Sequence, residues 1–341
     1  MIIIGLMPHL MVANGNKYSF KSVNFFNAGR FQESEELLKE LIEKKKIDSK
    51  ILNLMGGIYM NTQRNKLAYK TFKEALKIDP KNITAVKNLV TLLKRLENFE
   101  EVNKHLITLS SLTNNDLSTR LELVNNLISL NRKEEAFNLI EKIEEKEKNS
   151  EIVATTKANC LFLLKKYEES KKIYEKVYSN NKENYHALFK LGYFNLEDGK
   201  NEMAISFFSK ILQIKTNVRS QSEIGLIYYN IGLAYERLNK YDEAEESYLL
   251  SLKYKDDEVN VYANLSNNYV KKNDLDKAIN YIKKAILIEP TKRILYMNMS
   301  IIYDKIGDHR KAVHYRRIAS GSIIFKPKEE DGLYELNIEE L

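Results

Sequence analysis

Three asparagines, Asn230, Asn264 and Asn298, stand 34 residues apart, and Asn125 and Asn159 repeat the interval. A side-chain amide carries a donor and an acceptor, the pair a peptide backbone presents. A row of amides can therefore hold an extended chain with little regard for its sequence. That is binding chemistry, and residues for bond-breaking chemistry are scattered. The five histidines lie at 9, 105, 186, 309 and 314. His309 and His314 are five apart and miss the spacing that puts two metal ligands on one helical face. Gly199-Lys200 is followed by Asn201 and lacks an upstream glycine loop, so it is not a phosphate-binding loop. Cys160, the single cysteine, has no histidine near it in sequence and reads as a buried, inert thiol. No catalytic constellation, metal site or cofactor is expected, and the chain reads as a non-enzyme.

The chain has 341 residues with 54 basic and 47 acidic side chains, a formal charge of +7. Four prolines and twelve glycines are too few to punctuate a strand-rich fold. At 43% hydrophobic, the chain is too apolar for a disordered one. No apolar run approaches the roughly eighteen residues of a membrane span, and one cysteine excludes a disulfide framework. The charge is uneven. Residues 327–341 hold six acids against Lys328, which leaves 53 bases and 41 acids in residues 1–326. The basic excess is diffuse and no aromatic–basic module interrupts it, so nucleic acid is not an expected partner.

Whatever holds the asparagines in line must repeat as they do. Units of 34 residues begin at Gly15, Ser49, Ile83, Leu117, Glu151, Tyr185, Gly225, Val259 and Arg293, in one frame broken once by six residues, 219–224. Apolar residues recur three and four apart within a unit, the mark of amphipathic helices. The twentieth position reads Ser34, Ala68, Val102, Ala136, Ser170, Ala204, Ala244, Ala278 and Ala312, small where two helices must approach. The fifteenth carries Gly29, Asn131, Gly199, Asn239, Asn273 and Gly307 in six of nine units, residues that accept the left-handed backbone ending a helix. Pro80 and Pro290, both at the thirty-second position, close a second helix. Each unit is thus a pair of antiparallel helices. Val90 and Val124 depart from the small residue expected at the eighth position.

The six extra residues carry a signature of their own. Ser220 with Glu223 three later fits a capping box, and Ile224, Ile227, Tyr228 and Ile231 continue a helical stripe. The first helix of the seventh unit should therefore start near Gln221, one turn early. At the N-terminus, residues 1–14 are apolar without a basic residue, and are expected to cover the apolar edge of the first unit rather than act as a signal. At the other end, Ile323-Ile324-Phe325 and Leu333-Tyr334-Glu335-Leu336 are β-prone runs that either pair as a small hairpin or belong to a docking tail. The domain reading is 1–14 apolar segment, 15–326 nine repeats, 327–341 acidic tail.

Met55-Gly56, Tyr59, Ala68, Phe72, Ala75 and Pro80 sit at offsets largely met again from Gly225, Val259 and Arg293. In this the sequence strongly resembles the tetratricopeptide repeat family over residues 15–326. The resemblance implies an all-α fold, a right-handed superhelical solenoid of antiparallel helix pairs whose first helices line a concave groove. It further implies that the second, fifth, sixth, ninth, twelfth and thirteenth positions form that groove. Asn88, Asn230, Asn264 and Asn298 hold the sixth position, and Asn125, Asn159 and Asn267 the ninth. The arrangement resembles the asparagine ladder of O-linked GlcNAc transferase, with Glu122, Thr156 and Lys190 interrupting the row. Phe162, Phe189, Tyr193 and Tyr229 would be aromatic anchors, and Lys87, Lys94, Arg95, Arg237 and Lys271 would pair with acidic residues. The family's two-carboxylate clamp is not met, because Lys87 is followed by Thr91 and Glu122 occupies the next sixth position.

The function expected from these features is a non-catalytic protein–protein interaction scaffold. It would bind extended peptide segments of partner proteins in its concave groove, without a membrane span, in the cytoplasm, with a periplasmic or secreted location as the alternative. Two alternatives stand beside it: a structural assembly protein that oligomerises through its convex face or ends, or with its acidic tail in a neighbour's groove, and a recruitment arm for a separate transferase.

Overall fold

The computed structural model describes residues 17–44, 47–214, 220–322, 326–327 and 334–335, which fall into two compact units, Met1–Ser170 and Lys171–Leu341. In the first, Lys17–Asn27 (α1) packs on Phe31–Glu43 (α2) and Ser49–Asn61 (α3) on Asn65–Ile78 (α4). Ile83–Arg95 (α5) then packs on Phe99–Leu112 (α6), and Leu117–Ser129 (α7) on Lys133–Glu144 (α8). Glu151–Leu163 (α9) follows, and Tyr167–Asn180 (α10) begins in the first unit and ends in the second. In the second unit Tyr185–Glu197 (α11) packs on Asn201–Gln213 (α12), and Gln221–Arg237 (α13) on Tyr241–Tyr254 (α14). Val259–Lys271 (α15) packs on Leu275–Ile288 (α16), and Arg293–Ile306 (α17) on His309–Ser320 (α18). Eight of the expected pairs thus pack within the two units. Strand pairing among the described residues is limited to Lys326–Pro327 (β1) with Tyr334–Glu335 (β2), antiparallel. Its second strand falls within the run 333–336; residues 323–325, the apolar segment 1–14 and most of the acidic tail lie outside the described residues.

Local chemistry starts and stops these helices. Side chains of Asp48, Asn82, Asp116, Asn184 and Asp274 accept hydrogen bonds from backbone N–H groups three residues on, filling the orphan donors of a first turn. At the other end of each first helix, the fifteenth repeat position is left-handed in all nine units, with φ from 55° to 88°. Gln63, Glu97 and Lys165 adopt it without being glycine or asparagine. The reason is a bond made one residue later: Arg64 N–H donates to Tyr59 O at 2.8 Å, Asn98 to Leu93 O at 3.0 Å, and Lys166 to Leu161 O at 2.9 Å. This bond closes the helix end, and its recurrence holds even an unfavourable residue in place.

Two positions set the approach of the paired helices. Every residue at the twentieth position is fully buried, Val102 included. Where it is serine, the hydroxyl is satisfied across the pair, Ser34 Oγ donating to Ser22 O at 2.7 Å and Ser170 Oγ to Ala158 O at 2.8 Å. The eighth position is matched in size to the twenty-fourth. A Cβ on Gly56 would stand 2.6 Å from the Phe72 ring, one on Gly192 2.7 Å from Phe208, and one on Gly232 2.6 Å from Tyr248. Where the eighth residue is Val90 or Val124, the twenty-fourth shrinks to Leu106 or Ile140. The valines that departed from the pattern are thus compensated, since a close-packed interior tolerates volume moved but not volume added.

The seventh unit starts early, as its capping box implied. Glu223 N–H donates to Ser220 Oγ at 3.2 Å and Ser220 N–H to the Glu223 carboxylate at 2.9 Å, so α13 runs for 17 residues against 13 in α11 and α15.

Candidate peptide-binding site

First helices neighbour one another within each unit, α3 with α5 and α7 with α9 in the first, α15 with α17 in the second. Their shared face is the one that a ligand could follow. In the second unit its centre is a polar network. Asn264 Nδ2 donates to the Tyr229 hydroxyl at 3.3 Å, and the Tyr229 ring lies 6.1 Å from that of Tyr248. Tyr248, fully buried, donates its hydroxyl to Glu236 at 2.6 Å. Burial raises the Glu236 carboxyl above the usual carboxylate range, against the lowering pull of the Tyr248 hydrogen bond and the Lys271 charge. Burial likewise pushes the Tyr248 hydroxyl well above its ordinary value.

A cavity of about 170 Å³ opens beside Tyr229, with Leu226, Ser251, Glu258, Asn260 and Val261 among its walls. The first unit carries a cavity of about 310 Å³ at matching repeat positions, where Lys87, Leu109, Asp116, Ser118 and Thr119 stand for Tyr229, Ser251, Glu258, Asn260 and Val261. Among the described residues no group of three or more histidines, cysteines or carboxylates could hold a metal ion. Nor is any described helix long and apolar enough to cross a membrane. Burial pushes the Cys160 thiol up to about 11, away from reactivity.

A family model described as the Psidin N-terminal tetratricopeptide-repeat region matches residues 15–117, starting at the first unit. A second, described as the tetratricopeptide repeat, matches 153–184, 226–258 and 259–292. The chain is a tetratricopeptide-repeat protein. Such repeats are generally protein-interaction scaffolds and typically non-catalytic. Among solved structures, this repeat protein is similar to a chain of the APC/C hetero-tetramer Cut9–Hcn1, at 14% identity and a TM-score of 0.60 over 85% of its length. It spans 57% of that chain. It is also similar to pilF of Pseudomonas aeruginosa, at 17% identity and a TM-score of 0.51, over 58% of this chain and 87% of that one. Both likenesses show the fold. No curated protein matches the chain.

The residues singled out from the sequence of this repeat protein divide into two groups. Asn88 and Asn230 are turned inward. Asn88 is buried and its Nδ2 donates to Asn53 Oδ1 at 3.0 Å, and Asn230 is buried with its Nδ2 on Leu226 O at 2.7 Å. One N–H of each amide is thus used within the fold. Arg95 and Arg237 are also engaged within the fold, Arg237 in part by an ion pair with Glu197 at 3.4 Å. Arg95 Nη1 donates to Met60 O at 3.1 Å and Arg237 to Leu196 O, so each guanidinium satisfies a carbonyl near the end of the preceding first helix. Lys94 pairs with Glu122.

Asn125 and Lys271 are exposed, and Asn159, Asn264, Asn267 and Asn298 are half-buried. Lys87 is exposed on the wall of the first unit's cavity. Phe162 meets the Tyr167 ring edge-on at 5.4 Å; Phe189 stacks on Tyr185 at 6.0 Å and meets Phe208 edge-on at 5.6 Å. Tyr193, half-buried, lies 6.3 Å from Phe194. These rings keep part of their surface open while their neighbours fix their orientation, which suits an anchor. Sequence reasoning missed Leu226, Asn260 and Val261 on the cavity wall. Their second and third repeat positions, beside an insertion, were the available signal.

Proposed function

We propose that this repeat protein is a non-catalytic scaffold that binds extended segments of partner proteins along its first-helix face. The observation that supports the reading is the half-buried amides on first helices, Asn159 on α9 and Asn264, Asn267 and Asn298 on α15 and α17, together with the packed rings of Phe189, Tyr193 and Tyr229 on α11 and α13. Amides match a peptide backbone, rings supply apolar area at low entropic cost, and Lys87 and Lys271 add positive charge at the edges. Four or five amide contacts at a net ~1 kcal/mol each fall short of the ~8 kcal/mol of micromolar binding. The aromatic anchors must contribute the remainder. A cytoplasmic home, where a lone thiol stays reduced, accords with this reading.

The test is site-specific photo-crosslinking of the full chain in native extract. A photoreactive residue at Asn267 or Ile301, on first helices, should capture discrete polypeptides. The same residue at Leu249 or Leu287, exposed on second helices, should capture none of them. Equal capture from both sets, or capture from the second helices alone, contradicts the proposal.

A further inference from the structure

The six-residue insertion adds a wall to a cavity that an uninterrupted repeat forms at matching positions. Its capping box adds a turn to α13, and Ser222 in that turn, with Gly225 and Leu226 just after it, lines the 170 Å³ cavity beside Tyr229. In the matching cavity of the first unit the earliest lining residue of the first helix is Lys87, at the fifth repeat position. That cavity is the larger one and is lined by Lys87, Thr91, Asp116 and Glu122. We infer that the extra turn of α13 makes a side-chain pocket that takes one aliphatic residue, of leucine, isoleucine or methionine size, from the bound partner segment. This inference rests on the peptide-binding reading above and names what one part of that face selects.

Size and chemistry both point to such a guest. A cavity of about 170 Å³ is smaller than the roughly 300–1,000 Å³ typical of small-molecule sites and accommodates a single side chain. Its apolar lining is Leu226, Tyr229, Val261 and Gly225, which has no side chain, beside the polar Ser222, Ser251, Lys255, Glu258 and Asn260. Polar groups of four lining residues, Ser251, Lys255, Glu258 and Asn260, already have partners, and Ser222 is exposed at the rim. Ser251 Oγ donates to Gly225 O at 2.8 Å, Lys255 pairs with Glu258, and Lys292 Nζ donates to Asn260 Oδ1 at 3.1 Å. A charged guest would lose its hydration and meet an ion pair that is already neutral, whereas an aliphatic guest loses only unfavourable contact with water. Tyr229 cannot swing aside freely, because Asn264 holds its hydroxyl.

The experiment is selection from a displayed library of random peptides by the full chain, by Leu226→Glu and by Leu226→Ala. Leu226 is exposed at the pocket mouth, so both variants should keep the wild-type helical content, checked by circular dichroism. The wild-type chain should enrich an aliphatic residue at one fixed peptide position. Leu226→Glu should weaken that preference about tenfold or more while leaving the other selected positions unchanged, and Leu226→Ala should shift it towards larger side chains. If Leu226→Glu and Leu226→Ala both enrich the same aliphatic residue as wild type, the pocket inference is overturned and the peptide-binding reading stands. If the wild-type chain selects no peptides, both fall.

Discussion

Replacing Gly56 by alanine tests the packing rule most sharply. An added Cβ would stand 2.6 Å from two atoms of the Phe72 ring, which is fully buried and has no open space into which to turn. Overpacking of this kind costs about 1–3 kcal/mol. Alanine in place of glycine inside a helix returns up to about 1 kcal/mol. The net expectation is a loss of up to ~2 kcal/mol for Gly56→Ala in the wild-type background. In a Phe72→Leu background the clash is gone, and the same change should be neutral or stabilising by up to about 1 kcal/mol. The two sites are therefore coupled, by about 1–3 kcal/mol. Urea unfolding gives the energies, and amide hydrogen exchange in α3 and α4 localises them, because repeat arrays open locally. Additivity of the two substitutions within about 0.5 kcal/mol would refute the size-matching argument.

Three further outcomes follow from the same geometry. Glu97 has a φ of 55°, so Glu97→Gly should stabilise the fold by about 0.5–1 kcal/mol in a denaturant titration, whereas the same replacement at an exposed helix-interior position should destabilise it. Ser220→Ala removes the capping hydroxyl and should cost about 1 kcal/mol, with faster hydrogen exchange confined to the first turn of α13. Burial raises the Glu236 pKa, so its contribution to stability is present below the unfolded carboxylate range of about 4 and is lost as pH rises through the higher folded value. Glu236→Gln keeps an acceptor for Tyr248 and should raise stability at neutral pH while flattening the acid side of the profile; an unchanged profile would remove Glu236 from the account.

The helix pairs were legible in the sequence because two crowded positions restrict residue size in every unit and a left-handed stop recurs at a fixed offset. The extra turn of α13 was legible from Ser220 and Glu223 alone. Three left-handed residues, Gln63, Glu97 and Lys165, were not, since the backbone hydrogen bond that closes the helix one residue later imposes the conformation against side-chain preference. The amides mislead for a related reason. Asn126 and Asn268, one position beyond the ninth, donate to Phe99 O at 3.0 Å and Tyr241 O at 2.8 Å and bind neighbouring repeats together. Asn88 and Asn230 are likewise engaged within the fold. A 34-residue interval places such residues on the same part of the repeat, but it does not distinguish an amide facing a neighbour from one facing solvent. Only the positions of Asn53 and Leu226 O decide that.

The most direct measurement of the central claim is a structure of the full chain bound to a segment recovered by photo-crosslinking. The account predicts an extended segment lying along α13, α15 and α17, in contact with Asn264, Asn267 and Asn298, with an aliphatic side chain beside Tyr229. A segment seated instead on α14, α16 or α18, with the first helices untouched, would contradict it.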